Sequence, residues 1–179
     1  MPVPERRAVP VLVRFSRYAQ SRVRTHEGGE RLRRGAWLSR AEAEIREIVN
    51  RETQAWDTQD TELLASCFHP AMVWPWPPTA QSHDPMTWVM VWGRFNAERW
   101  RRGWQELFDT HTLVHNRREI KKIVVSAEGD GAFAVVDIDT LWRHKETGAD
   151  QHWEGRTCKI YTQVGTQWKM IAQTGVLQY

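Results

Sequence analysis

Three long β-favouring segments, residues 112–126, 132–144 and 152–164, follow one another with only short turn-forming stretches between them. The breaks read "AEGDG" and "KETGAD", and "GTQ" then leads into a closing segment, "WKMIAQTGVLQY". Segments joined by turns this short pair antiparallel, because a parallel pair needs a long crossover. The C-terminal half therefore predicts four successive antiparallel strands. Along the second of them Ala134, Val136, Ile138, Thr140 and Trp142 alternate onto one apolar face. Asp137 and Asp139 point the other way, to solvent or to a dimer partner. A sheet with one apolar face must be covered on that face.

The N-terminal half supplies the cover. Ser39 with Glu42 three residues later forms a capping box, which predicts a helix from about Arg40. Ala41, Ile45, Ile48, Val49, Glu52 and Trp56 then fall on one stripe at helical spacing. "DTQD" breaks this helix, and Asp60 caps a short second one, "TELLASCF". "HPAMVWPWPP" reads as a short strand ending in a proline-rich turn, and "MTWVMVWG" as another strand. Asn96 caps "AERWRRGWQELF", in which Ala97, Trp100, Trp104, Leu107 and Phe108 share a face. The expected class is α+β, a curved antiparallel sheet wrapped around helices in a single domain over residues 37–179.

Charge separates residues 1–36 from this domain. They hold nine arginines against three glutamates, whereas the whole chain carries only +3. The basic balance belongs to this N-terminal extension, expected to be disordered or weakly helical, and nucleic acid is not an expected partner of the domain body. Contact between the extension and a polyanion is a weaker alternative. The two cysteines, Cys67 and Cys158, lie far apart without CxxC spacing, so neither a disulfide framework nor a zinc site follows. A reducing cytoplasm is the expected location. No apolar run reaches the ~18 residues of a membrane span.

Eleven tryptophans are the compositional outlier. Rings of this size either fill a core or line a cavity for an organic ligand. Glu52 is the anomaly of the helical stripe. A buried carboxylate is costly unless paired; it is either an acid or base with a raised pKa, or a salt-bridge partner of an arginine such as Arg117 or Arg94. His111 and His115 stand four apart. "TLV" makes this stretch extended, and four residues of strand span about 13 Å, too far for one metal with ligands about 2 Å away. His69, His83, His144 and His152 show no partner spacing. No phosphate-loop, dinucleotide, nucleophile-elbow or zinc-protease motif occurs, so neither a cofactor nor a metal is expected.

The order and spacing of these elements resemble the nuclear transport factor 2-like (cystatin-like cone) superfamily, and within it SnoaL-like and scytalone dehydratase-like members. The matching features are the helix ending in "AWDTQDTELLASCF", the third helix before a long hairpin, and the closing "WKMI". They cover roughly residues 40–179. The resemblance implies a cone enclosing an apolar pocket, a homodimer paired across the sheet, and either cofactor-free chemistry or none. In the resembling lyases a histidine on the strand after the third helix pairs with an aspartate ending the first helix. These positions fall on His115 and Asp57; alternatively, Asp57 is a turn residue and His115 a hydrogen-bonded histidine at the pocket edge. Glu52, from its place on the buried stripe, and Arg117, on the strand face of His115, are the candidate auxiliaries. Ketosteroid isomerase-like members carry an aspartate where this chain reads "VWPWP" and a tyrosine near Glu52, which argues against steroid isomerisation by that route. Scytalone dehydratase-like members have a second histidine on the next strand, where this chain reads "VVDIDTLW".

The expected ligand is a hydrophobic or aromatic small molecule. Trp56, Trp74, Trp76, Trp92, Trp104, Arg117 and Trp142 are the candidate contacts. The favoured activity is proton abstraction with elimination, isomerisation or cyclisation, with His115 as base and Asp57 as its orienter. The alternative is a ligand-binding or dimeric accessory protein without chemistry.

Overall fold

The computed structural model describes residues 27–79, 82 and 84–177, with side chains from residue 35 onward. Most of the arginine-rich extension, residues 1–26, and His83 lie outside the described residues. Helix α1 spans Glu27–Asp57, so it begins well before Ser39 and runs through the expected boundary at residues 36 and 37. The capping signal is overridden because Glu30–Leu38 is dominated by Arg, Leu, Glu and Ala and contains no proline, leaving nothing to stop the helix upstream. Its apolar stripe is as expected: Ala41, Ile45, Ile48, Val49, Glu52 and Trp56 are all buried.

Gln59 adopts a left-handed conformation with φ of 55°, which turns the chain out of α1. Asp60 then accepts the backbone N–H groups of Glu62 and Leu63 and caps α2 (Thr61–Ser66). Strand β1 (Phe68–Val73) follows. "MTWVMVWG" is not a strand. It forms a single 3₁₀ turn at Pro85–Thr87 and one isolated bridge between Trp76 and Val89. Pro75, Pro77 and Pro78 lack the N–H groups that a longer ladder requires. Asn96 caps α3 (Ala97–Thr110) through the N–H of Arg99, and Trp100, Trp104 and Phe108 are its buried face.

Strands β2 (His111–Val125), β3 (Gly131–His144), β4 (Asp150–Val164) and β5 (Gln167–Gln173) form the expected antiparallel run. The sheet is mixed rather than wholly antiparallel, because β1 adds to the free edge of β5 in parallel, giving the order β1-β5-β4-β3-β2. That parallel pairing is reached through the long crossover of α3 and β2–β4, and it buries Phe68 and Met72. The sheet is curved and open, and the architecture is the α+β cone. None of the described helices is long and apolar enough to cross a membrane.

One polar cluster ties α1 to the sheet. Glu52 accepts hydrogen bonds from Lys159 Nζ at 2.6 and 2.8 Å and from Arg118 Nη1 at 3.1 Å. Lys159 also donates to Gln173 Oε1 at 2.6 Å, so α1, β2, β4 and β5 converge on one buried site. Burial alone would raise the Glu52 carboxyl, but Lys159 and Arg118 together hold it below its ordinary value. Burial pulls Lys159 down to about 8 against the raising influence of Glu52.

Removing one member leaves a charge stranded in the core. Lys159→Met is expected to lower unfolding stability by about 3–5 kcal/mol at neutral pH in urea melts. The folded Glu52 carboxyl holds its proton less tightly than the unfolded one. Its contribution is therefore complete above about pH 4.5 and drains away as pH falls through the lower folded value. Melts taken from pH 5 downward should show a shallower acid loss in Glu52→Gln than in the natural chain.

Candidate functional site

Strand β2 leaves α3 with Leu113 facing inward against the core. Leu113 pairs with Trp142, but His115 already pairs with Leu141, so β2 advances two residues for one on β3. Val114 is the extra residue of a β-bulge and is exposed. The bulge exchanges the two faces of the strand. Asn116 and Arg118 point inward, whereas His115 and Arg117 point outward.

His115 and Asp57 consequently do not pair. Asp57 Oδ1 accepts from Asn116 Nδ2 at 2.9 Å, and Asn116 Oδ1 accepts from Thr140 Oγ1 at 2.7 Å. His115 Nε2 instead meets Asp139 Oδ1 at 2.6 Å on the outer face. Glu52 does have cationic partners, but they are Arg118 and Lys159 rather than Arg117 or Arg94. Two cations hold its carboxyl below its ordinary value, so of the two readings of Glu52 its contacts match the salt-bridge one, with other partners than expected.

The inner face of the cone carries an aromatic chamber of about 250 Å³. Trp56, Trp74, Trp76, Trp92, Trp100 and Trp153 line it, together with Val91, Leu107 and Gln151. Trp74 and Trp76 face each other at a centroid distance of 5.5 Å, and Trp153 stands 6.2 Å from Trp76. Gly175 is required here, since a Cβ at that position would lie 2.5 Å from the Trp76 ring. Four of the candidate contacts therefore line the chamber: Trp56, Trp74, Trp76 and Trp92. Trp104 and Trp142 do not, being wholly buried behind Trp56 as packing. Arg117 is on the outer face with its side chain 76% exposed. Trp100 and Trp153 join the lining unforeseen, although Trp100 already lay on the apolar face of α3. Trp153 lies opposite Thr140 of the inward face of β3, a register that the turn between β3 and β4 fixes.

No family model and no curated protein matches the chain. Solved structures do. A conserved protein from Planctomyces limnophilus is similar at a TM-score of 0.61 and 15% identity, over 75% of this chain and 94% of that one. A ketosteroid isomerase-like protein from Erwinia carotovora atroseptica is similar at a TM-score of 0.57 and 15% identity, over 74% and 92%. A nuclear transport factor 2-like superfamily protein from Salmonella enterica gives 0.57 and 18%, over 78% and 94%.

The chain has the nuclear transport factor 2-like fold.

Within this nuclear transport factor 2-like cone, Asn116 occupies the inward place assigned by resemblance to His115. An amide there can orient Asp57 and Thr140 but does not exchange protons near neutral pH. Among the described residues that line the chamber, none is titratable. A double-mutant cycle on unfolding stability separates the two pairings. The coupling of His115→Ala with Asp57→Ala should fall within about 0.5 kcal/mol of zero, whereas Asn116→Ala with Asp57→Ala should couple by about 1 kcal/mol.

Proposed function

We propose that the chain is a binding protein for a small, planar, mainly apolar aromatic molecule, which it holds in the tryptophan chamber without changing it chemically. The observation that carries this reading is a chamber walled by six indoles with no acid, base or nucleophile among its described lining residues. Size supports it as well. A cavity of about 150 Å³ accepts benzene, so one of about 250 Å³ suits a fused two-ring system. Indole rings offer such a ligand edge-to-face and offset contacts worth about 0.5–1.5 kcal/mol each beyond area burial. Gln151, exposed and at the chamber's edge, supplies an amide to orient one polar substituent.

Elimination or isomerisation would need a proton-transfer group within hydrogen-bond reach of the substrate. His115 faces away, and Glu52 is held by two cations outside the chamber lining. The isomerase-like neighbour is only 15% identical, which brings the fold and not the chemistry. The accessory or ligand-binding role is therefore the better supported of the two.

Titration with 1-naphthol, followed by quenching of tryptophan fluorescence and by calorimetry, tests the proposal. Saturable binding is expected, with Trp153→Ala weakening it at least about tenfold, equivalent to 1.4 kcal/mol. The naphthol should be recovered intact after long incubation. Equal affinity in Trp153→Ala would overturn the assigned chamber. Catalytic turnover of a bound aromatic compound would overturn the non-catalytic reading.

A further inference from the structure

The outer face of the sheet carries a second constellation, independent of the chamber. His115 on β2 and His152 on β4 both lie in register with Leu141 of β3, one on each side of it. Asp139, two residues along β3, points to the same face and reaches between them. Its Oδ1 lies 2.6 Å from His115 Nε2 and 2.8 Å from His152 Nε2. His152, which showed no partner spacing along the chain, thus acquires one through strand register.

We propose that His115, Asp139 and His152 form a binding site for a single first-row divalent transition-metal ion of the zinc type, with solvent completing its coordination. The three potential ligand atoms all lie within 4.8 Å of one another. Around a tetrahedral zinc with bonds of about 2.0–2.2 Å, such atoms stand about 3.3 Å apart. The two His–Asp contacts would open by about 0.5–0.7 Å and the two imidazole nitrogens, within 4.8 Å of each other, would settle at the same ~3.3 Å. Each Nε2 would give up its hydrogen to face the ion, the neutral imidazole taking the tautomer with its hydrogen on Nδ1. This adjustment is small for side chains that are 26–43% exposed.

Convergence is the feature a purely structural hydrogen bond does not require. One imidazole would satisfy Asp139, yet two ring nitrogens aim at the same carboxylate oxygen from opposite neighbouring strands. The other oxygen, Oδ2, faces Arg117 Nη1 at 3.5 Å, an exposed and therefore weak pairing. Two imidazole nitrogens and one carboxylate oxygen favour zinc, cobalt or nickel over calcium or magnesium, which take oxygen ligands. The three ligands sit on paired strands, so the backbone is already organised, and they leave the solvent side open.

The test uses the full chain without an affinity tag, stripped with chelator and dialysed, then titrated with Co²⁺ and Zn²⁺. One ion per chain is expected, with visible Co²⁺ absorption bands that Zn²⁺ abolishes. His115→Ala, His152→Gln and Asp139→Asn should each weaken binding by more than about tenfold. His111→Ala is the control and should bind as the natural chain does. Its ring stacks edge-on to His144 at 4.9 Å, but Nδ1 of His111 is engaged by Thr110 and Nδ1 of His144 by the backbone of Glu146 and Thr147. Circular dichroism and thermal melts confirm that each variant is folded. Absence of saturable binding tighter than about 1 mM, or unchanged affinity in folded His115→Ala and His152→Gln, would overturn the site.

Discussion

A carboxylate in the apolar stripe of a helix is tolerated only if the opposing sheet brings cations to it. Glu52 sits fully buried on α1 and is met by Lys159 from β4 and Arg118 from β2. Such a cluster contributes less to net stability than to selecting one arrangement, because a shifted register strands a charge in the core. Here it sets which face of β2 turns inward. Arg118 must face α1, so its even-numbered neighbour Asn116 does too, and His115 and Arg117 are carried to the opposite face. Arg118 also lies 5.8 Å from the Trp56 ring, so the same cation contacts the wall of the aromatic chamber.

The consequence is a sheet with two distinct chemistries. Its inner face combines apolar side chains, one buried ionic cluster and a chamber of indoles. Its outer face carries charged and imidazole side chains paired across strands, including Arg156 with Asp137 and the two histidines on Asp139. On the proposed reading the inner surface holds an organic ring by contact and the outer one a metal ion. Among the described residues, the lining of the aromatic chamber holds no base.

Much of the fold was legible because it rests on periodicity and local caps. The stripe Ala41–Trp56, the caps Asp60 and Asn96, and the four C-terminal strands follow from spacing and turn residues alone. The start of α1 at Glu27 is not marked by the box at Ser39, because a local cap competes poorly with a continuous run of helix-forming residues. The parallel docking of β1 leaves no local signature, since it depends on which sheet edge is free. The candidate site was less legible for a single reason, the bulge at Val114. Its trace was nonetheless in the sequence. The core-facing positions Leu113, Ile120, Ile123 and Val125 change parity twice, which an unbroken strand cannot accommodate, and register shifts occur at both places. Strict alternation forward from Leu113 puts His115 inside, alternation back from Ile120 puts Asn116 there, and the place of the slip between them is set by the register. The tryptophan lining was partly legible, but choosing cavity wall over packing for Trp104 and Trp142 requires knowing which rings stand behind others.

Strand β2 turns Arg118 inward and His115 outward. Nuclear Overhauser contacts of the His115 ring protons, measured on the full chain with assigned histidine and tryptophan side chains, test it most directly. The His115 and His152 ring centroids stand 6.0 Å apart, so cross-peaks between these two imidazoles are expected, with none from His115 to the Trp56 indole. Cross-peaks from His115 to Trp56, with none to His152, would place the histidine inside the cone and contradict the account.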